Sequence, residues 1–157
     1  MRVIGLGNPL MGDDGVGIRV VEQLAAAGPP PGVEVVDGGA GGLALLDEMD
    51  GAGGVVLVDA GSFWAAPGTV RRVEGDDLAG PPGGRGPLSS HLDPGFVLAV
   101  GRGLGRLPPV VAYLVQVGSV TPGVGLSPPV ARAVPGLVRR VAAEARALAG
   151  GARRAFR

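Results

Sequence analysis

The chain has 157 residues and a formal net charge of zero, with 31 glycines and 15 prolines, and its residues are 46% hydrophobic but only 18% charged. Disordered chains are usually poor in apolar residues and strongly charged, so this composition indicates a folded protein, and the length suits one domain. The lack of cysteine excludes disulfide frameworks, iron–sulfur clusters and cysteine nucleophiles, and a single histidine excludes sites that need two.

The same features limit where the protein works and what it binds. The chain starts without an apolar leader and has no apolar run near the ~20 residues that span a bilayer, so we expect a cytoplasmic protein without a membrane partner. Aromatic residues make up 3% and no dense run of arginines occurs, which argues against nucleic acid. No stripe of surplus apolar side chains stands out, so we expect a monomer.

Apolar runs and helical spacing alternate along the chain, separated by glycine and proline. Strands are predicted at residues 2–6, 33–36, 55–58, 70–73 and 110–117. Helices are predicted from residue 13 to 27, over 43–49, from 96 to 106, and from Pro128 to Gly150, with Ser127 as the cap of the last and Pro135 dividing it. A long loop is predicted at residues 75–90.

This alternation predicts an α/β fold with a largely parallel sheet, in one domain at 1–150 followed by a flexible tail at 151–157. Sites in such folds form outside the carboxyl ends of the strands. Chemically active side chains follow the strands in turn, at Asp13, Asp14, Asp37, Asp59 and, in the long loop, His91. These acids and the only imidazole therefore fall after strand ends, where they can converge.

The first glycine-rich turn has two interpretations. A strand, glycines and a helix are typical of a phosphate loop, but two carboxylates stand where the anion would bind and no lysine follows. We instead predict that Asp13 caps the helix, worth ~1 kcal/mol, and that Asp14 is a ligand.

Asp59 and His91 each have a structural and a chemical interpretation. Asp59 ends an apolar strand and could bond the following turn, and His91 could be an ordinary surface imidazole. No Gly-x-Ser-x-Gly elbow supports a serine hydrolase. Two carboxylates with one imidazole suit a divalent metal with open positions, and three ligands without a thiolate would hold it only modestly. This donor set favours a metal that arrives with the substrate.

These residues resemble those of the hydrogenase maturation peptidases. The segment from Gly5 to Gly17 reads Gly-x-Gly-Asn-x-Leu-x-x-Asp-Asp-Gly-x-Gly, and the likeness continues through Asp37-Gly38-Gly39, Val58-Asp59-Ala60, Ser-x-His91 and Gly125-Leu-Ser-Pro128. It extends from residue 3 to about residue 149. The resemblance implies a three-layer α/β/α sandwich around a twisted, roughly five-stranded, mostly parallel sheet.

The resemblance also implies a metal-dependent endopeptidase that removes a C-terminal extension from the large-subunit precursor of a nickel–iron hydrogenase after nickel insertion. The metal-contacting and catalytic residues carry over to Asp14, Asp59 and His91, with nickel supplied by the substrate and no tightly bound cofactor of the protein's own. We expect Asp37, Gly38 and Gly39 to line the cleft and let the substrate backbone approach.

Two departures and two rival functions accompany this interpretation. The family has Glu or Asp at the position of Asp14, and this chain has the shorter acid. The loop at 121–124 looks short and the 80–88 stretch is rich in glycine and proline, and both could alter which subunit is accepted.

Two rival functions stay open: a non-catalytic maturation partner that binds metallated precursor, and a hydrolase with its own resident metal.

Overall fold

A computed structural model describes residues 1–78 and 94–154. The five strands are β1 (Arg2–Gly5), β2 (Glu34–Asp37), β3 (Val55–Gly61), β4 (Val70–Glu74) and β5 (Val110–Gln116). The helices are α1 (Val16–Ala27), α2 (Ala44–Met49), α3 (Pro94–Gly103) and α4 (Pro128–Arg154), with short 3₁₀ turns at Gly12–Gly15 and Gly75–Leu78. The predicted strands and helices are thus present, and their observed ends differ from the predicted ones by a few residues.

The strands form one sheet in the order β2-β1-β3-β5-β4. The neighbours β2, β1, β3 and β5 run parallel, and β4 joins β5 antiparallel at the edge. The carboxyl ends of β1, β2, β3 and β5 therefore share one edge of the sheet, called here the carboxyl edge. The predicted mostly parallel α/β sheet is confirmed.

The central strands β3 and β5 are buried on both faces, as their uninterrupted apolar runs indicate. Alternate β3 side chains divide between two apolar clusters: Val56 and Val58 pack with α1 and α4, whereas Val55 and Leu57 pack with α2 and α3. The helices therefore cover both faces of the sheet, giving the expected three layers.

Two glycines of the first motif allow α1 to lie against the sheet. A Cβ atom built at Gly17 would overlap the carbonyl oxygens of Leu6 and Val58, and one built at Gly5 would overlap the carbonyl oxygen of Gly17. Only a residue without a side chain fits these positions, because the obstructing atoms are backbone. The glycine spacing thus sets how closely the start of α1 approaches β1 and β3.

The last helix differs from its prediction. Pro135 lies inside a continuous α4 and does not divide it, and the helix continues four residues past the predicted end at Gly150. Pro135 is exposed, while Val134 before it and Leu137 after it are buried in the core. Packing of this amphipathic face on both sides of the proline outweighs the lost backbone hydrogen bond.

A cluster of polar side chains joins α4 to the sheet. Glu144 of α4 accepts hydrogen bonds from Arg72 of β4 at both carboxylate oxygens, each at 3.0 Å, and from the Tyr113 hydroxyl at 2.8 Å. The Arg72 hydrogen bonds hold the pKa of Glu144 below its usual value despite partial burial.

Among the described residues, no helix has the length and apolar character to cross a membrane.

Candidate active site

Asp13 is the hydrogen-bonding centre of the carboxyl edge. Its carboxylate accepts hydrogen bonds from the backbone amides of Gly118 at 2.8 Å, Ser119 at 3.0 Å and Ser127 at 2.6 Å. The Ser127 hydroxyl donates a fourth, at 2.8 Å. The carboxylate therefore joins the loop before α1 to the loop between β5 and α4.

The predicted capping role of Asp13 is wrong. Neither the 3₁₀ turn nor α1 has a side-chain cap hydrogen bond, because the Asp13 carboxylate points to the distant 118–127 loop. A helix cap would have its partners two or three residues away, whereas those of Asp13 lie more than a hundred residues further along the chain. Ser127 immediately precedes α4 as predicted, and its hydroxyl donates to Asp13.

The Asp13 side chain is buried yet suited to stay ionised. Burial acts to raise the pKa of Asp13, but the hydrogen bonds from Ser127, Ser119 and Gly118 outweigh it and hold the pKa below its usual value. Several donors directed at one carboxylate stabilise its charged form. Asp13 is thus a structural anion with its acceptor sites occupied by this chain.

Asp14, the predicted ligand, lies beside it with only 5% of its surface exposed. Its Oδ2 atom accepts a hydrogen bond from the Asn8 amide at 2.8 Å, and Asn8 Oδ1 accepts one from the Leu10 amide at 2.9 Å. These bonds close the turn between β1 and α1 and orient the Asp14 carboxylate within it. The adjacent acids thus accept hydrogen bonds from different residues, Asp14 from Asn8 and Asp13 from the 118–127 loop.

Asp59 lies near the carboxyl end of β3 and has no exposed surface. Its Oδ1 atom accepts a hydrogen bond from the Ala60 amide at 2.8 Å, which is the local turn bond anticipated for it. Val58 pairs with Gly5, the last residue of β1, so Asp59 lies in β3 at the level where the chain leaves β1 for the turn that carries Asp14. Both acids therefore lie at the carboxyl edge, Asp59 in β3 and Asp14 in the 3₁₀ turn after the adjacent β1.

Their burial restricts what can reach these carboxylates. A cation or peptide from solvent contacts Asp59 only if the surrounding loops move, because no surface of this residue is exposed. Carboxylate oxygens are hard donors that suit divalent cations, so the chemistry of the pair fits a metal ligand set. Within residues 1–78 and 94–154, no group of three or more acids, histidines or cysteines is assembled as a metal site.

The third predicted ligand, His91, lies outside the described residues, as does the glycine- and proline-rich 80–88 stretch. The convergence of His91 with Asp14 and Asp59 therefore stays a prediction. The short 121–124 loop is described: the Gly123 amide donates to the Leu10 carbonyl at 2.9 Å, and the Gly12 amide donates to the Gly123 carbonyl at 3.0 Å. This loop thus pairs with the turn that carries Asp14.

Asp37, Gly38 and Gly39 form a turn at the end of β2. Asp37 Oδ1 accepts a hydrogen bond from the Gly39 amide at 2.8 Å. A Cβ atom at Gly38 would lie 2.7 Å from the Ile4 side chain, whereas one at Gly39 would meet nothing within 4 Å. Gly38 is therefore required by packing inside the chain, and open space for another molecule lies at Gly39.

Gln116 is a residue of the carboxyl edge that the sequence analysis did not single out. It is buried at the end of β5, and its Oε1 atom accepts hydrogen bonds from the amides of Phe63 at 2.8 Å and Ala65 at 3.3 Å. Gln116 pairs with Gly61 of β3 in the register. The pattern that identified Asp59, a polar residue closing an apolar strand, would also have identified Gln116.

Comparison with known proteins gives consistent matches. Residues 18–144 match the profile of the HycI hydrogenase maturation protease family. The hydrogenase 2 maturation protease of Escherichia coli is 33% identical over 132 residues, which cover 82% of this chain and 79% of that protein. The hydrogenase maturating endopeptidase HybD from E. coli has a similar structure, with a TM-score of 0.80 at 29% identity over 92% of this chain and 91% of that one.

Other relatives match over shorter segments. The hydrogenase expression/formation protein HupD of Rhodobacter capsulatus is 39% identical over 77 residues, covering 48% of this chain and 37% of that protein. The match to a putative hydrogenase maturation protease of Methanocaldococcus jannaschii covers 51% of that protein. The chain thus spans about half, or less, of the length of these relatives.

Proposed function

Because the chain belongs to the hydrogenase maturation protease family, we propose that it is an endopeptidase that processes a hydrogenase precursor. The substrate proposed is the nickel-loaded large-subunit precursor of a nickel–iron hydrogenase, from which the enzyme removes the C-terminal extension. The observation that supports this proposal is that Asp59 in β3 and Asp14 in the turn after the adjacent β1 lie at the carboxyl edge of the family's fold.

In this proposal the nickel belongs to the substrate and acts as the recognition element. Asp14, Asp59 and His91 complete its coordination and so hold the scissile segment against the enzyme. Two carboxylates and an imidazole are donors that a divalent transition metal accepts. A precursor without nickel lacks the group that these residues bind, so it is not retained.

The residues of this chain then orient the peptide for hydrolysis. Water adds to the scissile carbonyl carbon, the C–N bond breaks, and the products are a new carboxylate on the subunit and an amine on the released extension. A metal at this position supplies Lewis-acid polarisation of the carbonyl or activation of the water. Gly39, with open space around its Cα, is the proposed point at which the substrate backbone approaches.

Burial of both acids has a consequence for this mechanism. Docking of the precursor must be accompanied by movement of the residues that cover Asp59, because this side chain has no exposed surface. Exclusion of water from the closed site would strengthen the interaction between these carboxylates and the arriving cation. The empty enzyme is therefore expected to bind divalent ions from solution weakly.

A cleavage assay tests this function. Purified protein is mixed with nickel-loaded or nickel-free precursor, and the mass of the large subunit is followed. We expect loss of the extension from the loaded form only. Cleavage of neither form would favour a non-catalytic maturation partner, and equal cleavage of both would contradict recognition through nickel. Activity that is lost on dialysis of the enzyme against a chelator, before precursor is added, would indicate a resident metal.

A further inference from the structure

The only tryptophan of the chain is fully exposed and has an unusual backbone conformation. Trp64 lies three residues beyond the end of β3 and has φ of 60°, the one positive φ among described non-glycine residues. A bulky residue in the left-handed region costs ~1–3 kcal/mol. The exposed indole buries no apolar surface that could offset this conformational cost. Neither the exposure nor the backbone conformation of Trp64 therefore stabilises the fold.

The residues on either side of Trp64 hold it in this conformation. Gln116 Oε1 accepts from the amides of both Phe63 and Ala65, and Gln116 Nε2 donates to the Val117 carbonyl at 3.0 Å. Because Gln116 is buried, its amide group is fixed in position. The strained residue is thereby clamped between two hydrogen-bonded neighbours.

Phe63 and Gly68 attach this loop to the protein on either side of Trp64. The Phe63 ring packs on the core, and the Arg71 guanidinium stacks over it, 4.3 Å from the ring centroid. The Gly68 amide donates to the Gln116 carbonyl at 2.9 Å. A hydrogen-bonded loop therefore presents the Trp64 indole outward, and such preorganisation reduces the entropy lost on binding.

Other exposed apolar side chains share the carboxyl edge with Trp64, and Leu10 and Val124 are the most exposed of them. Leu10 is 64% exposed on the turn after β1, and Val124 is 83% exposed on the loop after β5. The hydrogen bond from the Gly123 amide to the Leu10 carbonyl holds these two loops together. Leu10, Trp64 and Val124 are called here the apolar rim.

We propose that the apolar rim, with Trp64 as its anchor, docks an apolar surface of the precursor next to the scissile segment. This inference rests on the proposed function. Strands β1, β3 and β5 are parallel, so the rim stands at the same edge as Asp14 and Asp59. Exposed tryptophans that bind partners commonly dominate the binding energy.

Charge and position favour the precursor over other occupants. Residues 60–70 and 117–131 carry no charged side chain, so the loops around the rim match an uncharged, apolar partner surface. A second copy of this chain seated on the rim would cover the edge through which the substrate reaches Asp14 and Asp59. The occupant that satisfies both conditions is the substrate protein itself.

Fluorine NMR tests this docking, because 5-fluorotryptophan labels Trp64 alone. We expect a single resonance that responds to exchange of H₂O for D₂O, and that shifts and loses this response while excess unlabelled nickel-loaded precursor is being cleaved by the wild-type enzyme. In the active enzyme, Trp64→Ala should raise KM for precursor about tenfold or more and change kcat less than about threefold.

Two further variants serve as controls. Trp64→Gly removes the indole but suits a positive φ, so it should be more stable than Trp64→Ala and show the same rise in KM. Leu104→Ala removes an apolar side chain of similar exposure to Leu10, after α3 and just before β5 begins, and should leave KM unchanged.

Distinct outcomes separate this inference from the function beneath it. If the wild-type chain cleaves the precursor but Trp64→Ala has the same KM, the docking role alone is overturned. The same holds if the wild-type chain cleaves the precursor but the fluorine resonance does not change when precursor is added. A resonance that shifts as the protein's own concentration rises, without precursor, assigns the rim to a second copy and also overturns it. If the wild-type chain neither binds nor cleaves any precursor, the proposed function fails and the inference with it.

Discussion

The Asp13 carboxylate accepts two hydrogen bonds from Ser127, 114 positions away: one from its amide at 2.6 Å and one from its hydroxyl at 2.8 Å. The contact joins the first turn of the fold to the residue that precedes the last helix. It fixes the loop after β5 next to the turn that carries Asp14. The buried anion at Asp13 therefore positions the candidate ligand beside it without needing to contact substrate.

Asp13→Asn should lower the free energy of unfolding by ~2–4 kcal/mol at neutral pH. The amide has one acceptor oxygen in place of two and directs an NH₂ group at backbone donors, leaving buried groups unpaired. Urea denaturation measures the change. Asp50→Asn removes an exposed carboxylate that bonds Arg106, and should cost less than ~1 kcal/mol. Equal losses in the two variants would contradict the structural role of Asp13.

The stabilising effect of Asp13 should depend on pH. Its folded-state pKa lies below the unfolded value of about 3.9, so its contribution is fully present above about pH 4 and is lost as pH falls through the folded value. The stability difference between wild type and Asp13→Asn should consequently shrink between pH 5 and pH 2. The contributions of other carboxylates, such as Glu144, to the pH dependence of stability are the same in both proteins and cancel in this difference. A difference that grows on acidification would contradict the assigned pKa direction.

Gly17→Ala should destabilise the protein by ~2 kcal/mol or more, because the added methyl group meets the backbone carbonyls of Leu6 and Val58. Gly136→Ala is the matched control within α4, where the nearest atom is the end of the Arg139 side chain at 3.9 Å. This control should raise stability by up to ~1 kcal/mol through helix propensity. Thermal unfolding of both variants checks the prediction, which fails if Gly17→Ala is as stable as wild type.

Much of the fold could be predicted from local patterns. The apolar runs of β3 and β5 predicted buried central strands, and alternation with helical spacing predicted the parallel sheet. Pro135 was misjudged because a helix that buries Val134 and Leu137 on one face tolerates a proline on the other. Local propensity carries no information about that packing.

The site was predictable in part, for a related reason. The rule that chemistry gathers at the carboxyl ends of strands placed Asp14 and Asp59 at one edge. The partners of Asp13 could not be predicted, because they depend on the tertiary approach of residues 118–127. The positive φ of Trp64 could not be predicted from the sequence either, because tryptophan is not a residue that favours a positive φ.

Asp14→Asn, Asp59→Asn and His91→Gln should each reduce precursor processing by more than about 100-fold while the protein stays folded. Each change keeps the side-chain shape and removes a donor proposed to bind the substrate's metal. Mass spectrometry of the large subunit measures processing, and circular dichroism confirms folding. Normal processing by His91→Gln would show that the role assigned to His91 is wrong.

The central claim is that Asp14, Asp59 and His91 meet around one cation. Anomalous diffraction at the nickel edge tests it most directly, on crystals grown with nickel in large excess because the empty enzyme is expected to bind the ion weakly. The account predicts one peak within coordinating distance of both carboxylates and the imidazole, absent from Asp59→Asn crystals grown in the same way. A His91 ring on the opposite side of the sheet, or nickel bound only away from these acids, would contradict it.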